Sequence, residues 1–332
     1  MPRMDATPTP LPTFADVLAA AARIAPHAQV TPVQHSRSLD AIACCELHFK
    51  CEQLQRVGAF KFRGACNAVW ALPENIAVRG VVTHSSGNHG AALALAARTR
   101  GIACHVVVPE GAVASKLAAI VAYGASLYHC APTIAAREAR CDEVQRATGA
   151  SLVHPYLDPY VIAGQGTAAL ELLNACGNFD ALVVPVGGGG LAAGTALAMA
   201  AVAPHCKLFL AEPSGAAETA ASLARGTRVT NFVPDTVCDG LRGTLGAPNF
   251  ELLRRHGVEA LVVDDAETIA AMRLLWLRTK QLVEPSSATA LAAVLRYRAR
   301  FVGQRVGIIL SGGNVDLDAL PDLFACGSIP PA

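Results

Sequence analysis

Short apolar runs alternate along this chain with longer stretches of helical spacing. The runs are Val81-Val82, Ala103 to Val108, Leu182 to Val186, Leu208 to Ala211, Ala260 to Val263 and Val306 to Leu310. That alternation predicts α/β layers with largely parallel sheets. Three runs end in polar or glycine-rich segments. Gly80-Val81-Val82 leads into His84-Ser85-Ser86-Gly87-Asn88-His89-Gly90 and then the alanine-rich Ala91 to Ala97, which reads as strand, loop and helix. Ala181 to Val186 leads into Gly187-Gly188-Gly189-Gly190-Leu191, and Val306 to Leu310 into Ser311-Gly312-Gly313-Asn314. The 24 residues from Ala181 to Pro204 carry no charge and invite a transmembrane reading. Pro185 and the glycines break any single helix there, so strand, loop and buried helix are expected instead.

Composition narrows the classes. With 332 residues the chain is long enough for two lobes with their own cores. A net charge of +1 with 16% charged residues gives no basic face for nucleic acid or an anionic membrane. Pro2, Pro8, Pro10 and Pro12 stand where a signal peptide would need a basic and then an apolar region. The eleven cysteines are odd in number, form no CxxC pair and mostly have small apolar neighbours. They read as buried thiols in a reducing, cytoplasmic compartment.

The chemistry starts at Lys61, one of five lysines, in Gly58-Ala59-Phe60-Lys61-Phe62-Arg63-Gly64-Ala65. Desolvation between two aromatic rings favours the neutral amine, a nucleophile able to form a Schiff base. A snorkelling surface lysine is the alternative on this segment alone. Ser85, Ser86 and Asn88 offer hydroxyls, an amide and backbone N–H groups at a helix start, where an ordinary capping turn is the plainer reading. Four glycines have no side chains to offer and suit a backbone that wraps a phosphate; a hinge is the alternative. A nucleophilic lysine, a phosphate cup, Ser311 at a strand end and an Asn-bearing loop together suit pyridoxal phosphate.

In these motifs the chain resembles the fold-type II pyridoxal-phosphate enzymes, in the branch of serine/threonine dehydratases and serine racemases. The resemblance extends to Phe49-Lys50-Cys51-Glu52, Tyr123-Gly124-Ala125, Val161 to Thr167, Ala211-Glu212-Pro213, Glu284-Pro285 and Ser311 to Asp316. It implies a tryptophan synthase β-like fold of two open, twisted, mostly parallel α/β lobes. The large cofactor-binding lobe would take residues 1–76 and 157–332, and the small lobe 77–156. Lys61 would carry the cofactor as a Schiff base and remove the substrate Cα proton. Gly187, Gly188, Gly189, Gly190 and Leu191 would hold the phosphate, Asn88 the ring 3-oxygen, and Phe60 would pack beside the ring. Ser311 would face the ring nitrogen. A hydroxyl there leaves the nitrogen unprotonated and the ring a weaker electron sink, which suits a β leaving group. Ser85, Ser86, Asn88 and His89 would bind the substrate carboxylate. Ser86 stands where family racemases handle the proton opposite the lysine, and carboxylate binding alone is its alternative. Glu212 and Glu218 with the Ala216 carbonyl match the family's Mg²⁺/Ca²⁺ loop, against two plain surface carboxylates.

The resemblance further implies a homodimer acting on a small amino acid, and no room before Ala332 for a regulatory domain. Departures limit it. Ala59 and Gly243 replace serines, Ala91 a glutamine and Tyr156 an asparagine of related enzymes, which weakens an ATP-activated racemase. A dehydratase (ammonia-lyase) for L-threonine or L-serine leads. Serine racemase and dehydratases for 3-hydroxyaspartate or phenylserine follow. An idle cofactor-binding protein would be expected to have lost the lysine or the glycine loop, and both are intact.

Overall fold

The computed structural model describes residues 10–325; Pro2, Pro8 and Cys326 lie outside them. Ten strands are described: β1 Val33–Gln34, β2 Glu46–Cys51, β3 Val81–His84, β4 Cys104–Pro109, β5 Ser126–Cys130, β6 Ser151–Leu152, β7 Ala181–Pro185, β8 Lys207–Pro213, β9 Glu259–Val263 and β10 Arg305–Leu310. They form two sheets, ordered β1-β2-β10-β7-β8-β9 and β5-β4-β3-β6. Every pairing is parallel except β1 with β2.

Period-two alternation builds the core. In β7, Val183 enters one apolar cluster with Phe49, Phe209 and Phe301, while Leu182 and Val184 enter another with Ile162 and Leu253. The large sheet is thus buried on both faces, as a parallel sheet with crossover helices must be. A third cluster, with Phe62, Leu93, Val106 and Ile120, covers the small sheet. Each apolar run expected as a strand is one. β2 is a strand that the alternation of apolar runs does not announce, because Leu47, Phe49 and Cys51 interleave with His48 and Lys50, all buried.

Two helices are pressed unusually close where the lysine segment meets the large lobe. Helix Lys61–Ala71 crosses helix Pro159–Cys176 so tightly that a Cβ on Gly164 would lie 2.6 Å from the Gly64 Cα. Among the described residues no helix is long and apolar enough to cross a membrane, and every cysteine is a free thiol.

Candidate active site

The C-terminal ends of parallel strands are where α/β sheets present ligand-binding loops. β7 ends at the glycine run, β10 at Ser311, and β3 at Ser85. Into this region helix Lys61–Ala71 brings Lys61 at its first turn. The side chain is half-buried, yet its Nζ is enclosed enough that desolvation lowers it to about 8, with only the Glu284 charge opposing. The Nζ donates to the Pro155 carbonyl at 3.2 Å and lies 5.0 Å from the centroid of the Phe60 ring. The snorkelling alternative fails on that enclosure.

The lysine turn is pinned to the end of β10. Phe60 N–H donates to the Ser311 carbonyl at 3.0 Å, Ala59 and Gly312 form an antiparallel bridge, and Gly313 N–H donates to Gly58 O at 2.9 Å. Asn314 Nδ2 completes the pin on the Val57 carbonyl at 2.7 Å. Val57 and Gly58 both take positive φ there, 57° and 70°, which reverses the chain just before the lysine. Ser311 itself is 3% exposed.

Asn88 opens helix Asn88–Arg100. Its Nδ2 donates to both Glu284 carboxylate oxygens, at 3.1 and 3.0 Å, and its Oδ1 accepts from Asn314 Nδ2 at 2.9 Å. Glu284 is buried, and desolvation together with Asp239 raises its carboxyl to about 7 against the Asn88 hydrogen bond and Lys116. Glu284 and Asn314 are site residues for which the sequence predicts no role of their own. Their signal is Glu284-Pro285 ahead of a helix and Asn314 beside Ser311. Ser85 and Ser86 are half-buried in the loop before Asn88, where Ser85 Oγ accepts from Gly87 N–H at 3.4 Å. The His89 ring is packed inward on the Val153 carbonyl at 3.2 Å, and burial keeps it neutral. Only its backbone N–H is left for a carboxylate.

The glycine run has no space for side chains. A Cβ on Gly188 would lie 2.4 Å from the Tyr156 ring, and one on Gly189, whose φ is +88°, 2.5 Å from Leu245 Cδ1. Gly190 starts helix Gly190–Val202, with Leu191 buried behind it, so unpaired N–H groups face the loop. Buried Asn249 holds the loop from below, donating to Gly188 O at 2.6 Å and Tyr156 O at 2.8 Å. No sequence signal marks Asn249. A cavity of about 450 Å³ adjoins Gly87, Asn88 and Asn314, with Lys116, Tyr123 and Asp316 on its far walls. Lys116 forms an ion pair with Asp239.

Glu212 and Glu218 are both buried, which removes the surface-carboxylate alternative. Glu212 accepts from Thr219 and Ala220 N–H at 2.8 Å each. Glu218 Oε1 accepts from Leu245 N–H at 3.1 Å, while its Oε2 is buried without a partner. Burial and the Glu212 charge push Glu218 up to about 8. Two carboxylates in such contact hold a shared proton or a cation.

These features fit a phosphorylated aldehyde cofactor: an amine tuned towards neutrality, and a glycine run at a helix start that packs so closely on Tyr156 and Leu245 that only its backbone can face a ligand. Comparison with known proteins agrees. Residues 24–312 match the family described as pyridoxal-phosphate dependent enzyme. The chain is 44% identical to a beta-hydroxyaspartate dehydratase of Paracoccus denitrificans, over 94% of this chain and 99% of that protein. Among solved structures it superposes on maize serine racemase with a TM-score of 0.92 at 43% identity, covering 94% of this chain and 97% of the other. With the serine racemase of Dictyostelium discoideum the TM-score is 0.88 at 44% identity, covering 92% and 99%.

Proposed function

The chain belongs to the fold-type II pyridoxal-phosphate dependent enzymes, and from that premise we propose that it is an ammonia-lyase for β-hydroxy L-amino acids, L-serine or L-threonine. The observation that carries the reading is the enclosed Lys61 amine, lowered to about 8 beside the glycine cradle. Lys61 would hold the cofactor, with the N–H groups of Gly187 to Gly190 on its phosphate, Phe60 beside its ring and Ser311 at its ring nitrogen. Bound there, pyridoxal phosphate supplies a sink for the electrons left at Cα when its proton is removed.

The chain's own groups do the rest. Lys61 Nζ takes the Cα proton, since a neutral amine of pKa near 8 accepts a proton and returns it at neutral pH. The backbone and hydroxyl donors of Ser85, Ser86 and Asn88 hold the substrate carboxylate at a helix N-terminus. The Cβ–O bond breaks, the hydroxyl leaves as water with one proton equivalent to that which Lys61 took from Cα, and the freed enamine hydrolyses to a 2-oxo acid and ammonia. Glu284 fixes the Asn88 amide through two hydrogen bonds, so the orientation of Asn88 depends on it. Ser86 would supply the opposite-face proton only if racemisation accompanies elimination. Loss of ammonia release in Lys61→Ala, with the protein still folded, is the expected result; retained release would reject this reading.

A second substrate, 3-hydroxyaspartate, is favoured by one observation: a relative 44% identical over 94% of this chain carries a dehydratase activity on it in its name. A higher kcat/KM for L-threo-3-hydroxyaspartate than for L-serine would support it. We further propose that Mg²⁺ or Ca²⁺ binds Glu212, Glu218 and the Ala216 carbonyl, for which the unpartnered Glu218 oxygen speaks. Division into lobes at 77–156, a homodimer and a cytoplasmic location complete the reading.

A further inference from the structure

The edge of the large sheet carries a second cluster of donors, away from the lysine. β1 pairs antiparallel with β2 in the register Val33↔Lys50 and Gln34↔Phe49. One step further along that register, His35 faces His48. Glu46, two residues from His48 on the same strand, projects from the same face. The three side chains converge as the register requires. One donor atom from each lies within 4.8 Å of the other two, the His35 and His48 ring centroids are 4.0 Å apart, and His48 Nε2 contacts Glu46 Oε1 at 2.6 Å.

An ion pair alone accounts poorly for this arrangement. His48 is 2% exposed, and the ring nitrogen it turns to the cluster is Nε2, the one in contact with Glu46, while its Nδ1 is buried with no hydrogen-bond partner. His35, which needs no burial, stands edge-on against it at the surface. Phe179 packs edge-on at 5.0 Å and gives the cluster an apolar floor. Arg305 Nε donates to Glu46 Oε1 at 3.2 Å, but the guanidinium is anchored elsewhere, on the Cys176 and Asn178 carbonyls at 3.0 and 2.8 Å.

We propose that His35, Glu46 and His48 form a zinc-binding site at the β1–β2 edge, separate from the cofactor cleft. Two imidazoles and one carboxylate are a zinc donor set, with a fourth position left for water. Donors at zinc bond lengths stand about 3.3 Å apart around a tetrahedral ion, so small side-chain rotations suffice. Two imidazoles and a single carboxylate disfavour hard Mg²⁺ or Ca²⁺, which take mainly oxygen ligands, relative to zinc. The ion would clamp the short antiparallel edge strand to β2, which runs on into Glu52 and the lysine segment.

The test uses the holoenzyme, freed of metal by chelation, loaded with Zn²⁺ and passed through gel filtration. Wild type, His35→Ala and Glu46→Gln are compared for bound zinc and for the unfolding midpoint with and without Zn²⁺. His35 is exposed, so its alanine variant is expected to fold and to keep its visible cofactor absorbance. Wild type should retain one zinc more per chain than His35→Ala, and Glu46→Gln should bind that zinc at least tenfold more weakly. Zinc should raise the midpoint of wild type and not of His35→Ala. Zinc held by cysteines or by Glu212 and Glu218 is common to all three proteins and cancels. Equal zinc in wild type and His35→Ala, or none in wild type, overturns the site.

Discussion

At the scale of single residues, burial sets the working protonation of two groups, and both can be measured. Only the neutral Lys61 amine attacks an aldehyde, so cofactor loading of the apoenzyme should speed up about tenfold per pH unit below its pKa. Because desolvation brings that pKa to about 8, the rate should flatten above pH 8. An ordinary lysine would keep gaining rate towards pH ~10.4. Glu218 has the opposite perturbation. A carboxyl raised to about 8 binds its proton more tightly folded than unfolded, so that stabilisation is complete below its unfolded value and is lost as pH rises through about 8. Chelated protein should therefore lose thermal stability between about pH 5 and 8, and Mg²⁺ or Ca²⁺ should restore most at the alkaline end. Midpoints insensitive to both pH and cation would contradict a cation site between these carboxylates.

At the scale of elements, the lysine turn stands on a buried charge network. Arg63, two residues beyond Lys61, donates to Glu52 at 2.7 and 2.8 Å and to Glu171 at 2.6 and 2.7 Å, and Lys50 joins Glu171 and the Thr31 carbonyl. Glu52→Ala would leave a fully buried guanidinium short of a counter-charge. It should cost about 3–5 kcal/mol by denaturant unfolding. A loss below about 1 kcal/mol would mean that Glu171 alone satisfies Arg63. The same network marks the limit of sequence reading. Strands made of continuous apolar residues, such as β7 and β10, are legible because burial and hydrophobicity coincide. β2 is not, because its buried Lys50 is satisfied by Glu171, a partner that only the folded chain brings near. In the site, Lys61 and the glycine run are legible because each is locally improbable without a ligand. Glu284, Asn314 and Asn249 are ordinary residues in sequence. They gain a role through contacts across 61 to 257 positions of chain.

At the scale of the molecule, the two sheets each supply part of the site: the Asn88 helix start follows β3, the glycine run follows β7, and Lys61 reaches Pro155, whose neighbour Tyr156 packs on Gly188. Light scattering should give twice the chain mass if the proposed homodimer holds, and the chain mass if it does not. Elimination through Lys61 stands or falls with the release of 2-oxo acid. Purified holoenzyme would be offered L-serine, L-threonine, L-threo-3-hydroxyaspartate and L-threo-phenylserine, beside Lys61→Ala. Turnover of L-serine or L-threonine, falling at least about 10²-fold in the variant, is the expected outcome. No oxo acid from any of the four, with the recovered amino acids racemised instead, would contradict it.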